Sequence, residues 1–261
     1  MDLEKLNLIK QFVLKAENKP KEYSDEFAGV YLVSNRPFNL YEDLAPNHAF
    51  RAFSQKEYPI YFFISPDAIN HEFENFLTVY KNIKVVQIPK LRSIYEFNNF
   101  SINSLLYSIE DKHENLFFYQ NDGFAIKSGF EYVAQKYSWI GSKWKEPIRV
   151  IENTFNFPAF QVGNGGANFR TRSKCLKVLD LINKHGGQDK IVKGLSIGGK
   201  TRTEGWFLAE DAIFCHFGFG SGIFEPVSNE EADKFALEPI PYELAVGDKE
   251  YRPFFYHRVD Y

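Results

Sequence analysis

The chain has 261 residues, 44% of them hydrophobic and 25% charged, with a net charge of −3. This is the profile of a soluble globular protein long enough to bury a substantial core. The slightly acidic balance excludes a broad nucleic-acid footprint, which needs clustered surplus Lys and Arg, so no nucleic-acid partner is expected. The only two cysteines, Cys175 and Cys215, form no Cys-x-x-Cys pair, which excludes both a disulfide framework and a cysteine zinc site.

Met1 to Leu6 lacks the basic-then-apolar layout of a signal peptide, and no run of about 18 apolar residues offers a membrane span. The expected location is cytoplasmic, with the inner face of the membrane as an option. Residues 3–17 place Leu3, Leu6, Ile9, Phe12, Val13 and Ala16 mostly at three- and four-residue spacing. This predicts an amphipathic helix that packs on its own domain or rests on a membrane surface or partner protein. Residues 17–26 read as a loop, so residues 1–26 form a helix-and-loop extension.

From Phe27 the sequence alternates. Buried strands are predicted at 27–33, 58–64, 83–88 and 115–120, with helices at 39–55, 68–80 and 100–109 between them. Strand, helix, strand in that order predicts an α/β fold: a Rossmann-like, mostly parallel central sheet with helices on both faces. Ligands of such a sheet lie beyond the C-terminal ends of its strands, which here carry Ser34-Asn35-Arg36 and Gln120-Asn121-Asp122.

After residue 125 the pattern changes to glycine-rich and aromatic segments, among them Trp139 to Trp144 and Val162 to Arg170, followed by a helix over 173–184. One unit over residues 27–261 is expected, with a nucleotide-binding half at 27–125 and a site-building half at 126–261. The chain carries 27 Phe, 15 Tyr and 3 Trp. These rings either line a pocket for planar or sugar ligands or reflect the codon bias of a low-GC genome.

Several segments carry chemistry. Gly194 to Thr201 satisfies the G-x-x-x-x-G-K-[ST] pattern of a P-loop, in which Lys200 would serve a phosphotransferase or NTPase. That reading requires a feeding strand and an exiting helix, and the flanking residues supply neither well. Gly163-Asn164-Gly165-Gly166 lets backbone approach a ligand and turn its N–H groups toward it, with Arg170 near enough to pair with phosphate; an ordinary tight turn explains the same residues. Glu210-Asp211 is costly to bury unless paired, metal-bound or protonated, so at least one of the two is expected to face a cavity or solvent, unless they simply begin a helix.

Five of these segments in order resemble a family of bacterial and fungal glycosyltransferase-like domains of poorly characterised function. They are Gln120-Asn121-Asp122, Trp139 to Trp144, Val162 to Arg170, Glu210-Asp211 and Pro253 to His257. The resemblance implies a GT-A-like fold that binds a nucleotide-sugar donor in its Rossmann-like half and receives a glycan or glycoconjugate acceptor in the other. It also implies a divalent cation, Mn²⁺ or Mg²⁺, held against the donor diphosphate. Gln120 stands where the usual Asp-x-Asp motif has its first acid. Asp122 therefore matches the metal-binding acid, with His257 as a second ligand. By the same resemblance the reaction is an inverting transfer with Asp211 as base and Glu210 as the alternative. Ser34, Asn35 and Arg36 would face the nucleotide, Gly163 to Gly166 would shape the sugar pocket, and Trp139, Trp144 or Trp206 would stack on sugar rings. A domain that keeps the pocket without turnover, a nucleotide-sugar or carbohydrate-binding module, is the non-enzymatic alternative.

Overall fold

The computed structural model describes residues 3–202, 209–237 and 252–257. Its first half follows the predicted alternation: β1 (Phe27–Val33), α2 (Leu40–Phe53), β2 (Ile60–Ile64), α3 (His71–Val79), β3 (Ile83–Gln87), α4 (Ile94–Phe100) and β4 (Asn115–Tyr119). The helix α1 (Leu3–Leu14) precedes them. These four strands are parallel, in the order β3-β2-β1-β4.

β1 shows why its run is apolar without a break. Ala28 and Val30 face a cluster with Ile102, Leu105 and Val178, while Phe27, Tyr31 and Val33 face Phe50, Phe73 and Phe76 on the other side. A strand with helices on both faces has no solvent side, so polar alternation disappears.

The second half enlarges the same sheet. β6 (Trp139–Glu152) and β7 (Phe160–Thr171) are long strands, followed by β8 (Val192–Ile197) and β9 (Lys200–Arg202). β7 pairs antiparallel with β4, and β6, β8 and β9 continue antiparallel outward, giving eight strands in the order β3-β2-β1-β4-β7-β6-β8-β9. The fold is thus α/β as expected, with a Rossmann-like parallel half joined to an antiparallel one. Helices α6 (Arg172–Lys184) and α8 (Glu210–Gly220) cover one face. A short α5 (Glu131–Ala134), a short α7 (Gln188–Ile191) and α9 (Asn229–Phe235) complete the helices described. A second sheet of three strands orders β10 (Ala236–Leu237), β11 (Phe255–His257) and β5 (Gly123–Ala125).

Three local expectations change. The helix predicted over 100–109 begins earlier, at the Ser93 cap whose hydroxyl accepts from Glu96 N, and runs on into a π-helical turn at Ser101–Leu105. The formal P-loop is a β-hairpin: β8 pairs antiparallel with β9 around the Gly198-Gly199 turn, so Lys200 starts a strand where a phosphate cradle needs a helix. The phosphotransferase reading through Lys200 is therefore withdrawn. Finally, α1 turns Leu6, Ile9 and Val13 onto Ala45, Ala49, Phe124 and Tyr256. That part of its apolar stripe is covered by its own domain, while Leu8 and Leu14 of the same helix are exposed. No described helix is long and apolar enough to cross a membrane.

Candidate functional site

The strand order reverses between β1 and β4, because β2 and β3 lie to one side of β1 and β4 to the other. Open α/β sheets bind ligands in the crevice that such a switch point leaves beyond the strand ends. A cavity of about 310 Å³ lies there, lined by the ends of β1 and β4, by the residues that follow them and by Arg170. Its polar groups include the predicted Ser34, Asn35, Arg36, Gln120 and Asn121, and an apolar flank is made by Leu91, Ile94, Phe97 and Leu105.

Arg36 is held in place from behind. Its two terminal nitrogens donate to the fully buried Asp43 carboxylate at 2.9 and 2.6 Å, and Tyr31 Oη donates to the same acid at 2.6 Å. A two-pronged guanidinium–carboxylate pair fixes orientation as well as charge.

A second cavity of about 330 Å³ adjoins the first, sharing Ile94, Phe97, Gln120, Gly165 and Glu210 with it. Arg170, Glu210 and Asp211 sit at this boundary. Arg170 is 0% exposed; its guanidinium lies 3.9 Å from the Phe118 ring centre and 4.2 Å from that of Trp139. Its Nε donates to Asn168 Oδ1 at 2.7 Å and its Nη2 to Glu210 Oε1, while Nη1 has no hydrogen-bond partner among the described residues. Glu210 Oε2 accepts the amide of Asp211 at 2.6 Å.

The paired acids are therefore unequal. Glu210 serves the Arg170 cation, whereas among the described residues Asp211 accepts only from backbone amides, Gly165 N at 2.8 Å and Ala212 N at 2.7 Å. Burial and the neighbouring Glu210 charge push the Asp211 carboxyl up to about 7. Both acids do begin a helix, α8, and both also line the second cavity.

The predicted metal pair is brought together by the small sheet. β5 starts immediately after the Asp122 turn and pairs antiparallel with β11, which sets His257 opposite Gly123. His257 Nε2 lies 3.8 Å from Asp122 Oδ1. Two metal–ligand bonds of about 2.1 Å can span that gap through one cation. Among the described residues no group of three His, Cys, Asp or Glu side chains gathers as a metal site. Water would have to supply the remaining ligands, as is usual for Mg²⁺-type ions. The pair fits an oxygen- and imidazole-ligated cation on these terms. His257 lines the second cavity, and Asp122 reaches it only through its 3.8 Å approach to the His257 ring.

The glycine segment acts differently from its prediction. Gly165 and Gly166 lie within β7, and their N–H groups are already donated to Asp211 and to Asn164 Oδ1. What the glycines provide is close approach. A Cβ on Gly166 would lie 1.7 Å from His257 Nε2, and one on Gly163, at φ +119°, would lie 2.3 Å from Cys215 Sγ. The bare backbone is thus what lets the imidazole settle over β7. Asn164, Gly165 and Gly166 line the second cavity, while Gly163 accepts the Trp139 indole N–H through its carbonyl at 3.0 Å.

Trp139 is a correction. It is 0% exposed, stacked between Phe214 and Phe224 with centroids at 5.4 and 5.6 Å, and no sugar ring has access to it. Trp144 does line the second cavity. Trp206 lies outside the described residues. Asn168, Asn98 and Ser101 were not predicted. Asn168 was legible in principle, since it stands two residues before Arg170 and strand periodicity puts both on one face.

The class so defined is an α/β protein with a two-chambered cleft at its sheet's switch point. By sequence, the chain belongs to the family described as Protein of unknown function (DUF5672), whose profile matches residues 82–257. No curated protein matches it. Among solved structures it is similar to 4-diphosphocytidyl-2C-methyl-D-erythritol synthase from Anaerococcus prevotii, at 11% identity and a TM-score of 0.38, covering 61% of this chain and 76% of that one. It is also similar to the inositol-1-phosphate CTP transferase from T. maritima, at 16% identity and a TM-score of 0.33, covering 62% and 75%. Likenesses this distant carry no argument about the chemistry of the present chain.

Proposed function

We propose that this protein is a glycosyltransferase that moves a sugar from a nucleotide-sugar donor to a hydroxyl acceptor with inversion. The observation that carries the reading is the pair of adjoining chambers at the switch point, with an Arg170-buttressed acid pair between them. In the first chamber, the apolar flank of Leu91, Ile94 and Phe97 receives the base, while Ser34, Asn35 and Arg36 hold the ribose and phosphates. The Arg170 guanidinium, buried at the wall of this chamber, sets its positive charge behind the leaving diphosphate, where negative charge grows as the bond breaks.

In the second chamber the acceptor oxygen attacks the anomeric carbon, and the glycosidic bond to the diphosphate breaks, its electron pair leaving with the nucleoside diphosphate. Asp211 takes the acceptor's proton. A carboxyl raised to about 7 suits a base working near neutral pH. Asp122 and His257 would hold Mn²⁺ or Mg²⁺, which supplies positive charge to the departing diphosphate.

A thermal-shift screen of UDP-, GDP-, CMP- and dTDP-sugars, with and without Mn²⁺, tests the donor assignment, since a ligand that binds only the native state raises its melting point. One nucleotide series should stabilise the protein, and Asp122→Asn should erase the metal-dependent part. No shift with any nucleotide sugar at millimolar concentration sinks the reading. A shift without transfer to any acceptor would instead make the protein a binding module.

A further inference from the structure

We infer that the second chamber takes an acceptor whose reactive hydroxyl is carried on an apolar body, such as an alkyl or aryl glycoside, in preference to a free sugar. This rests on the glycosyltransferase reading above. The chamber is built in two kinds of material from different elements. One wall comes from the antiparallel half of the sheet: Ile148 and Ile197 are directly paired, Leu195 stands two residues along the same strand face, and Trp144 lines the chamber beside them. Ile94 and Phe97 of α4 line it as well. The ionisable groups come from elsewhere, Glu210 and Asp211 from the start of α8 and His257 from β11.

A free sugar carries hydroxyls around its whole rim. Set against Ile148, Leu195 and Ile197 it would lose water and gain no hydrogen-bond partner, a cost that polar groups bear when they are buried unsatisfied. An alkyl or aryl group on the same sugar removes water from that wall and leaves one polar edge to meet Asp211. The polar lining of the second chamber, Asn98, Gln120, Asn164, Glu210, Asp211 and His257, is left for the sugar part of such an acceptor.

The test compares hexyl β-D-glucoside and hexyl β-D-galactoside with the free sugars. Transfer is measured with whichever donor the screen identifies, and binding is measured directly by calorimetric titration without donor, both below the micelle concentration. The hexyl glycosides should show KM and Kd values lower by about tenfold or more, as expected for a buried alkyl chain. Trp144→Ala and, independently, Ile197→Ser should each remove most of that advantage, with circular dichroism confirming the fold. Equal values for hexyl glycosides and free sugars, or an advantage untouched in both variants, would overturn the inference. If no nucleotide sugar binds at all, the proposed function fails, while the calorimetric comparison still decides whether the chamber prefers an apolar body.

Discussion

Replacing Arg170 with Met tests the centre of the site. The guanidinium is wholly buried between Phe118 and Trp139, and the linear Met side chain keeps much of that packing while removing the charge. What remains is the buried Glu210 carboxylate without the cation that Nη2 brought to it, and Asn168 Oδ1 without its Nε donor. Breaking a buried ion pair by removing one partner costs about 3–5 kcal/mol. At about 2–4 °C per kcal/mol for a chain of this size, the melting point should fall by about 6–20 °C. The double variant Arg170→Met/Glu210→Gln removes the stranded charge and should recover about half of the loss or more. Urea unfolding of wild type, single and double variants at pH 7.5 measures this directly. A single variant within about 1 kcal/mol of wild type, or a double variant no better than the single, would refute the buried-pair account. Both variants should also weaken the nucleotide-sugar thermal shift, because each lacks the Arg170 charge at the wall of the first chamber.

Four further outcomes follow from the same geometry. The Asp211 carboxyl is raised from its ordinary value of 3.8 to about 7, so between those limits the folded protein holds a proton that the unfolded chain has lost. Its contribution to stability is thus fully present below about pH 4 and declines as pH rises toward 7; Asp211→Asn should flatten that part of the stability profile. Transfer should rise with pH to a plateau above about 7, where the base is ionised, and Asp211→Asn should abolish it while sparing donor binding. Gly166→Ala would push a methyl against His257 Nε2 and should cost about 1–3 kcal/mol by overpacking, together with the Mn²⁺-dependent shift; an unchanged Mn²⁺ response would remove His257 from the metal site. Lys200→Ala, in the β8–β9 hairpin, should leave nucleotide-sugar binding as it is, and loss of binding in the thermal-shift assay would contradict the two-chamber placement.

The parallel half of the sheet was legible because its signals are local. A run such as Phe27 to Val33 must be apolar to sit between two helical layers, and the polar residues after it must mark its end. The antiparallel half was hidden by its glycines. Gly163, Gly165 and Gly166 read as loop because strand patterns are counted in side chains, and these positions have none. In the folded protein they lie inside β7 for that very reason: they are where other groups, Cys215, Asp211 and His257, press against the strand. Trp139 misled in the opposite way. An aromatic beside glycines resembles a sugar platform, but its indole N–H is satisfied by the Gly163 carbonyl and its ring supports the buried Arg170.

The proposed metal corner depends on topology that no local sequence signal shows. Asp122 could be placed at a strand end from its neighbours alone, but nothing local ties it to His257. The tie is the antiparallel pairing of β11 with β5, which begins at Gly123 and so registers the last described histidine against the turn that carries the acid. The 3.8 Å separation is then a product of three things: a one-residue offset along β5, a strand register, and a glycine in β7 that leaves room for the imidazole. A shift of one residue in the β11 register would send the imidazole to the opposite face of the small sheet, away from Asp122 and out of the second chamber, because side-chain direction alternates along a strand. An insertion therefore tests fold and function together: a residue added before Phe255 should leave the central sheet intact and eliminate the Mn²⁺-dependent stabilisation. If that stabilisation persisted with the register shifted, the cation would have to be bound without His257, and the paired-ligand assignment would fall.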